Sequence, residues 1–170
     1  LVAGFSNAVY KVEAGADVFV AKIFSKSARA RCPASERGAW DYVAGEAGVG
    51  PRVLAHSAEG LLSDFVAGKS LESKDLRAND WALAVDEVAP RLAELHQLPC
   101  KGPAVLWRRV DALLEHVPER NALGAAGDLR AEVMRWRRIV DDHVGPPDVA
   151  GHGDCKASNI LQTANGVVFV

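Results

Sequence analysis

Residues 152–161 read His-Gly-Asp-Cys-Lys-Ala-Ser-Asn-Ile-Leu, and they form the most informative stretch of the sequence. The polar part has the spacing H-x-D-x-K-x-x-N, and an apolar strand is predicted directly after it. In that spacing the carboxylate of Asp154 can accept or orient the proton of a substrate hydroxyl, and the carboxamide of Asn159 can bind Mg²⁺ between phosphates. Lys156 can offset charge on the phosphoryl group that moves. The stretch therefore indicates phosphoryl transfer, and its structural alternative is a polar turn capped by Asp154.

A β-hairpin is predicted to follow this loop. Two apolar stretches, residues 159–162 and 167–170, flank Asn165-Gly166, a dipeptide that favours a tight turn. The second stretch, Val-Val-Phe-Val, has the composition of a strand that the sequence leaves unfinished, and the chain begins at Leu1 rather than at methionine. Both ends indicate a fragment of a longer protein.

The first third of the chain is predicted to consist of strands around one helix. Runs rich in β-branched and aromatic residues, separated by turn residues, predict strands over residues 7–12, 18–24, 52–56 and 60–65. Pro33 and Ser35 are start signals for a helix over residues 34–47, and Gly48 ends it. The second strand carries Lys22.

The pattern changes to that of helices after residues 66–68. One amphipathic stripe consists of Trp81, Val85, Val88, Leu92 and Leu95, and another consists of Leu129, Val133, Trp136 and Val140. Pro90 lies inside the first stripe and should kink the helix or start a second one. We therefore predict a two-lobed α+β fold. Residues 1–66 form an N-terminal lobe with an antiparallel sheet and one helix, and residues 67–170 form a mainly helical C-terminal lobe.

Composition and charge exclude several classes of protein. The 170 residues carry 20 Lys and Arg against 22 Asp and Glu, a net charge of −2 that does not favour nucleic acid or an anionic membrane as a partner. No stretch approaches 18 uncharged apolar residues, so a membrane span is not expected. Three widely spaced cysteines provide neither a disulfide framework nor a C-x-x-C metal site. The cytoplasm is the expected location, and no pattern indicates an oligomeric state.

The loop at residues 152–161 resembles the catalytic loop of the protein-kinase-like superfamily, above all that of its small-molecule branch, the aminoglycoside phosphotransferase and choline kinase family. The resemblance implies ATP and Mg²⁺ as cofactors and a small-molecule hydroxyl as acceptor, on an aminoglycoside, choline or a similar alcohol. It assigns Asp154 as the base or orienting group, Lys156 as the counter-charge to the γ-phosphate and Asn159 as a metal ligand.

The same resemblance assigns a lysine and its acidic partner in the N-terminal lobe. Lys22, in the sequence Val-Ala-Lys-Ile, is similar to the family's strand lysine that contacts the α- and β-phosphates. Glu36 resembles the helix glutamate that orients this lysine through an ion pair. Glu46 is the competing acid, but it falls at the predicted end of the helix.

Two further segments resemble the parts of the family that bind the nucleotide. Residues 63–68 resemble the hinge between lobes, where the Asp64 carbonyl and the Val66 amide would bond to adenine. The first hairpin resembles the phosphate loop, in which Gly4, Ser6 and Asn7 would approach the phosphates. The sequence contains no G-x-x-x-x-G-K-[ST] motif, so a P-loop kinase is excluded.

The resemblance also raises an expectation about the end of the chain. In the family, the strand after the late hairpin leads into a metal-binding aspartate, and this sequence stops at Val170, before that position. We therefore expect the longer encoded protein to be a kinase and this polypeptide alone to be nearly inactive. Two alternatives stay open. One is a non-catalytic kinase-like nucleotide-binding module, and the other is a protein kinase, which His-Gly-Asp in place of His-Arg-Asp disfavours.

Overall fold

The structure is a computed structural model of the chain. It describes residues 2–3, 7–32, 34–99, 105–117, 120–121, 124–144 and 149–170. Antiparallel strands dominate the first part of the described chain, and helices dominate the middle. The α+β class predicted from the sequence is confirmed, while the lobe boundary after residue 66 stays a prediction.

A five-stranded antiparallel sheet contains the N-terminal strands. In spatial order they are β1 (Val2–Ala3), β2 (Asn7–Ala14), β3 (Asp17–Phe24), β5 (Gly60–Asp64) and β4 (Val53–His56). Lys22 on β3 is opposite Val9 on β2 and Leu61 on β5. Gly60 permits this pairing, because a Cβ at that residue would lie 2.4 Å from the Lys22 carbonyl oxygen. Buried Phe24, Val53 and Leu61 form the small core beneath the sheet.

Two short helices, rather than the single helix predicted over residues 34–47, lie between β3 and β4. They are α1 (Lys26–Arg31) and α2 (Ala39–Glu46), with a 3₁₀ turn at Ala34–Glu36 between them. The Ser25 hydroxyl oxygen accepts the Ala28 amide hydrogen at 3.1 Å and caps α1. Gly38 divides the segment, because it takes a left-handed backbone conformation (φ 74°) directly before α2. Pro33 lies outside the described residues.

Helices occupy most of the described chain between β5 and the loop at residues 152–159. They are α3 (Ser73–Arg77), α4 (Ala89–His96), α5 (Val105–Leu114) and α6 (Ala126–Val144), with a short ribbon of β7 (Arg120–Asn121) and β8 (Gly124–Ala125) between the last two. Pro90 lies in the first turn of α4, and a widened π-helical turn at Ala84–Val88 precedes it. This confirms the predicted break, because proline lacks the amide hydrogen that a regular helix needs. Of the described helices, none is long and apolar enough to cross a membrane.

The predicted late hairpin is present and belongs to a second antiparallel sheet. This sheet has the order β10 (Gly166–Phe169), β9 (Ile160–Thr163) and β6 (Lys69–Ser70). Thr163 pairs with Gly166, so the turn residues are Ala164 and Asn165, one position earlier than predicted. The Thr163 hydroxyl donates to the Gly166 carbonyl at 2.8 Å and accepts the Asn165 amide hydrogen at 3.0 Å, which fixes the turn.

The larger core holds this hairpin against the helices. Its buried members are Leu71, Val88, Ala157, Ile160, Val167 and Phe169. The Phe169 amide also donates to the Val49 carbonyl at 3.1 Å, which joins β10 to the loop that follows α2. The loop at residues 152–159 therefore leads into a hairpin that is packed in this core and hydrogen-bonded to the loop after α2.

Candidate active site

The loop before β9 is shaped by its own backbone. Gly153 has a left-handed conformation (φ 78°), which allows the chain to reverse directly before Asp154. The Lys156 amide donates to the Asp154 carbonyl at 2.9 Å, and the Asn159 amide donates to the Lys156 carbonyl at 2.9 Å. A 3₁₀ turn at Ala157–Asn159 leads into the strand, with the side chain of its first residue buried in the larger core. The loop thereby brings its three polar side chains to one place.

Asp154 is the centre of this polar group. One carboxylate oxygen, Oδ2, lies 3.1 Å from the Lys156 ammonium and accepts a hydrogen bond from the Asn159 amide nitrogen at 2.9 Å. Lys156, and then Asn159, lower the pKa of Asp154 below its usual value, because both bond to the charged form. About two thirds of the Asp154 side chain is exposed, since its exposed fraction is 65%. It is therefore an accessible carboxylate that is ionised at neutral pH.

The orientation of Asn159 follows from the same contacts. Its side-chain nitrogen donates to both the backbone carbonyl and the carboxylate of Asp154, each at 2.9 Å. The side-chain oxygen of Asn159 is not used in these two bonds, and in the described part of the chain nothing donates a hydrogen bond to it. An amide oxygen is a ligand type that Mg²⁺ accepts. Among the described residues, no three His, Cys, Asp or Glu side chains form a metal cluster. Within the loop, the Asn159 amide oxygen and the Asp154 carboxylate are oxygen atoms of the kind that Mg²⁺ accepts.

His152 packs against the second, three-stranded sheet through Phe169 of β10. Its ring packs against the Phe169 ring with centroids 5.5 Å apart, and its Nδ1 accepts the Asp154 amide hydrogen at 3.3 Å. Burial lowers the pKa of His152; the Lys22 charge lowers it further, and Asp154 and Asp41 oppose the shift. The charges of the loop and of β3 therefore act on the same imidazole, which stays neutral at neutral pH.

Lys22 forms an ion pair, but not with the predicted residue. Its ammonium lies 3.3 Å from Oδ1 of Asp41, in the first turn of α2. The exposed fractions of the two side chains are 28% and 41%, so the pair is reachable from solvent. The pair predicted with Glu36 is not present. Asp41 is thus a site residue that the sequence did not identify.

Glu36 is instead bound to the helical region. Its Oε1 lies 3.2 Å from the Arg108 guanidinium of α5. The physical reason is the break at Gly38, since a helix that begins after it places Asp41, and not Glu36, in its first turn. Glu36 belongs to the preceding 3₁₀ turn. The prediction assumed one continuous helix, and the glycine was the signal that could have corrected it.

The predicted hinge begins at the end of β5, where contacts with Arg52 hold Asp64 in place. The Asp64 carboxylate accepts two hydrogen bonds from the Arg52 guanidinium, at 2.8 and 3.4 Å, and the Asp64 amide donates to the Arg52 carbonyl at 2.9 Å. The Val66 amide has no hydrogen-bond partner among the described residues. Gly68 lies so close to β9 that a Cβ would be 2.7 Å from the Gln162 carbonyl oxygen. This geometry leaves the Val66 amide available to a ligand.

The predicted phosphate loop can be followed only in part. Gly4 and Ser6 lie outside the described residues. The Asn7 side-chain oxygen accepts the Ser25 amide hydrogen at 3.3 Å and so joins the start of β2 to the start of α1. This contact gives Asn7 a structural part beside the role predicted for it.

Comparisons with known proteins give three results. The model of the phosphotransferase enzyme family (APH) matches residues 1–170. The probable choline kinase 1 of Arabidopsis thaliana is 33% identical over 70 residues, which are 40% of this chain and 19% of that protein. Among solved structures, an ethanolamine kinase from Plasmodium vivax superposes with a TM-score of 0.71 at 16% identity, and choline kinase LicA from Streptococcus pneumoniae with 0.67 at 15% identity.

These matches differ in what they cover. The two structural comparisons cover 99% of this chain but only 54% and 60% of those proteins, so the chain spans little more than half their length. At such low identity they establish the fold, which is that of choline and ethanolamine kinases. The family model covers every residue, which confirms the resemblance drawn from the catalytic loop. The chain belongs to the phosphotransferase enzyme family.

Proposed function

We propose that the protein transfers the γ-phosphate of ATP to a hydroxyl of a small molecule, with Mg²⁺ bound to the nucleotide. The observation that carries the proposal is the polar group of Asp154, Lys156 and Asn159, joined by contacts of 2.9 to 3.1 Å. A second cation, Lys22, lies near enough to affect the pKa of His152 in the same loop. Phosphoryl transfer needs mainly such positioning and charge stabilisation.

Asp154 orients the acceptor hydroxyl in this proposal. A carboxylate whose pKa is lowered is a weak base, because its protonated form is disfavoured. Early removal of the hydroxyl proton by Asp154 is therefore less favourable than acceptance of a hydrogen bond from that hydroxyl. The proton moves late, when bond formation to phosphorus has made the oxygen acidic. This order fits the loose transition state of phosphoryl transfer.

Asn159 and Lys156 act on the phosphates. The Asn159 amide oxygen would hold Mg²⁺, which screens the phosphate oxygens and aligns them when bound. Lys156 is exposed and already contacts Asp154 at 3.1 Å, so its ammonium would lie between the carboxylate and the incoming γ-phosphate. It would stabilise the charge that spreads over the transferring group.

The nucleotide would be held by the five-stranded sheet. Lys22 would contact the α- and β-phosphates and is oriented by Asp41 at 3.3 Å. The Val66 amide would donate to adenine, with the Asp64 carbonyl as its companion acceptor. Gly4, Ser6 and Asn7 would border the phosphates, and Glu36 would take a supporting part through Arg108. The cleft between the two proposed lobes, divided after residue 66, would be the nucleotide site.

The acceptor is proposed from the relatives. Proteins that match this chain carry the names choline kinase and ethanolamine kinase, so a small amino alcohol is the first substrate class to test, and aminoglycosides are the second. A cytoplasmic location remains part of the proposal.

The test is a panel of hydroxyl compounds with ATP and Mg²⁺ on the protein expressed from its intact gene. Phosphorylated product from an amino alcohol or aminoglycoside is expected, at a rate in the ordinary kinase range of about 1–100 per second. ATP binding without transfer to any hydroxyl compound would overturn the proposal in favour of a non-catalytic nucleotide-binding module. Transfer to a protein serine instead would establish a protein kinase.

A further inference from the structure

A cavity of about 740 Å³ lies between α1 and α5. Its charged lining includes Lys26, Arg29, Arg37, Arg108, Asp111 and Glu115. None of the residues proposed to bind ATP or the acceptor lines this cavity. Its volume falls in the range of small-molecule sites, about 300–1,000 Å³.

Half of these charges are already neutralised by neighbours. Arg29 forms an ion pair with Glu59. Arg108 and Asp111 have partners too, Glu36 at 3.2 Å and Arg137 at 3.3 Å respectively. These pairs fix the walls of the cavity but contribute little net charge to it.

Three charged groups of the lining have no ion-pair partner in the described chain. Two are cations, Lys26 and Arg37, and the third is the carboxylate of Glu115. Arg37 is held rigidly, because its guanidinium donates to the carbonyl oxygens of Arg29, Cys32 and Ala58 at 2.6 to 2.9 Å. The cations belong to α1 and the segment after it, and Glu115 follows directly after the end of α5. The cavity thus has a cationic side and an anionic side.

A second, independent observation concerns hydrogen bonding. Among the described residues, two buried side-chain polar atoms have no hydrogen-bond partner: Nε of Arg108 and Oε2 of Glu36. Arg108 lines the cavity, and Glu36 is its ion-pair partner. A buried donor and a buried acceptor without partners are costly, and such atoms often mark a bound water, ion or ligand.

We propose that this cavity binds a small phosphate monoester that also carries an ammonium group. A phosphate monoester has a charge of about −1.5 to −2 at neutral pH, which matches the two unpaired cations, Lys26 and Arg37. The ammonium matches Glu115.

The ligand class relates this cavity to the proposed function. Phosphorylation of an amino alcohol yields a molecule with one phosphate and one ammonium group, so the cavity recognises the class of product that the proposed reaction releases. This relation, and the choice of probe, rest on the proposed function. The placement of the charges does not. A site for product apart from the active site would let accumulated product act back on the enzyme.

The probe is O-phosphoethanolamine, titrated calorimetrically and without nucleotide into the protein expressed from its intact gene. Saturable binding is expected, together with much weaker binding of inorganic phosphate and of ethanolamine. Each of Lys26→Gln and Glu115→Gln should weaken binding about tenfold, because each removes one charge-assisted contact. Lys74→Gln is the matched control. Lys74 is an exposed lysine of α3 paired with Glu72, and its loss should leave binding unchanged.

Active-site variants separate this proposal from the proposed function. Lys22→Ala and Asp154→Asn should retain phosphoethanolamine binding, because neither residue lines the cavity. Loss of binding in those variants but not in Lys26→Gln would show that the probe occupies the active site, and the proposal would be wrong. Absence of saturable binding, or phosphate binding as tight as that of the ester, would also overturn it. None of these results depends on turnover, so failure of the kinase proposal would be seen separately.

Discussion

At the scale of single residues, the role proposed for Asp154 leads to a specific prediction about turnover. Asp154→Asn removes the charged acceptor for the substrate hydroxyl, while Lys22 and the hinge remain in place. Turnover should fall by about 10² to 10⁴, the usual contribution of a positioned acid or base. The dissociation constant for ATP should change less than about twofold. Steady-state kinetics and calorimetry on the protein from the intact gene measure the two quantities.

The neighbouring cysteine provides the matched control. Cys155 is exposed as a residue, while its thiol is partly covered by its neighbours. This partial burial, and then the Asp154 charge, raise the pKa of the thiol, so it is protonated at neutral pH. Cys155→Ser should therefore keep near-normal turnover. Equal loss in both variants would mean that the loop is merely fragile, and Asp154 would lose its assigned role.

His152 predicts how stability depends on pH. Its folded-state pKa lies below the ordinary value of 6.5, mainly because the ring is partly buried. The unfolded chain therefore binds a proton at higher pH than the folded chain. The stabilising contribution is complete above about pH 6.5 and is lost as the pH falls through the lower folded-state pKa. Urea unfolding should show less stability at about pH 5 than at about pH 8.

The variant His152→Gln identifies the source of that loss. Glutamine does not titrate, and its amide oxygen can accept the hydrogen bond that Nδ1 accepts from the Asp154 amide. The difference in unfolding free energy between the two pH values should shrink in this variant. An unchanged difference would assign the pH dependence to other groups.

The contact among the polar side chains of the loop at residues 152–159 could be expected from the sequence, but the contacts that support the loop could not. The spacing pointed to Asp154 and Asn159 as neighbours, and the structure joins them by a hydrogen bond, while their roles in catalysis stay predictions. The acceptor role of His152 and its contact with Phe169 depend on two segments meeting in space. No local pattern carries that information.

Helix α2 makes a prediction at the scale of elements, because its start decides which acid faces Lys22. Asp41→Asn should weaken ATP binding about five- to tenfold, since Lys22 would lose its only carboxylate partner among the described residues. Glu36→Gln should weaken it less than about twofold. Comparison of the ATP dissociation constants of the two variants checks the pairing. A stronger effect of Glu36→Gln would restore the assignment made from the sequence.

Strand pairing between β3 and β5 depends on one glycine. In Gly60→Ala the new methyl group would meet the Lys22 carbonyl oxygen at 2.4 Å, and backbone atoms cannot move aside cheaply. The expected loss is about 1–3 kcal/mol or more in unfolding free energy, as for other overpacked sites. Gly151→Ala is the control, because its Cβ would enter open space and its φ is ordinary. Equal stabilities of the two variants would contradict the close strand approach.

Element boundaries were predicted well where turn chemistry was strong and poorly where helices broke. The longer strands and the late hairpin were found from local signals, with the hairpin turn one position off, while the two-residue strands β1, β6, β7 and β8 were not predicted. The helix stripe was correct for the buried Val88 and Leu95, but Trp81 and Val85 are 52% and 62% exposed. The chain is left-handed at Asn79, Asp80 and Trp81. Trp81 therefore precedes the helical segment rather than starting it, and Val85 lies in the π-helical turn at Ala84–Val88, where the 3.6-residue period does not apply.

The larger core makes the prediction that belongs to the whole molecule. Phe169 is 4% exposed and packs with buried residues of the helices and of the catalytic loop. Phe169→Ala should lower the unfolding free energy by about 3–5 kcal/mol, as for other buried phenylalanines. Phe65→Ala serves as the control, because Phe65 is 43% exposed and should cost far less. Chemical denaturation of both variants measures the difference, and similar losses would contradict the role of this core.

The class of the molecule could be predicted because several weak signals agreed along the chain. Strands came first, helices followed and the motif loop came late, an order that only a few folds share. The cavity between α1 and α5 had no sequence signal. It arises from contact between a short helix near the start and another about 80 residues later. Which of its charged side chains are paired and which are not depends on residues distant in the sequence, so the structure was needed to tell them apart.

The bond between Phe169 and Val49 has a mechanical consequence. Val49 follows α2, which carries Asp41, by three residues, and its carbonyl holds the Phe169 amide at 3.1 Å. β10 pairs with β9, which begins directly after Asn159. One hydrogen bond and one strand pair thus connect Asp41, which pairs with the proposed nucleotide-binding Lys22, to Asn159, the proposed metal ligand. A displacement of α2 should therefore move both Asp41, beside the proposed nucleotide-binding lysine, and the strand pair that leads to Asn159.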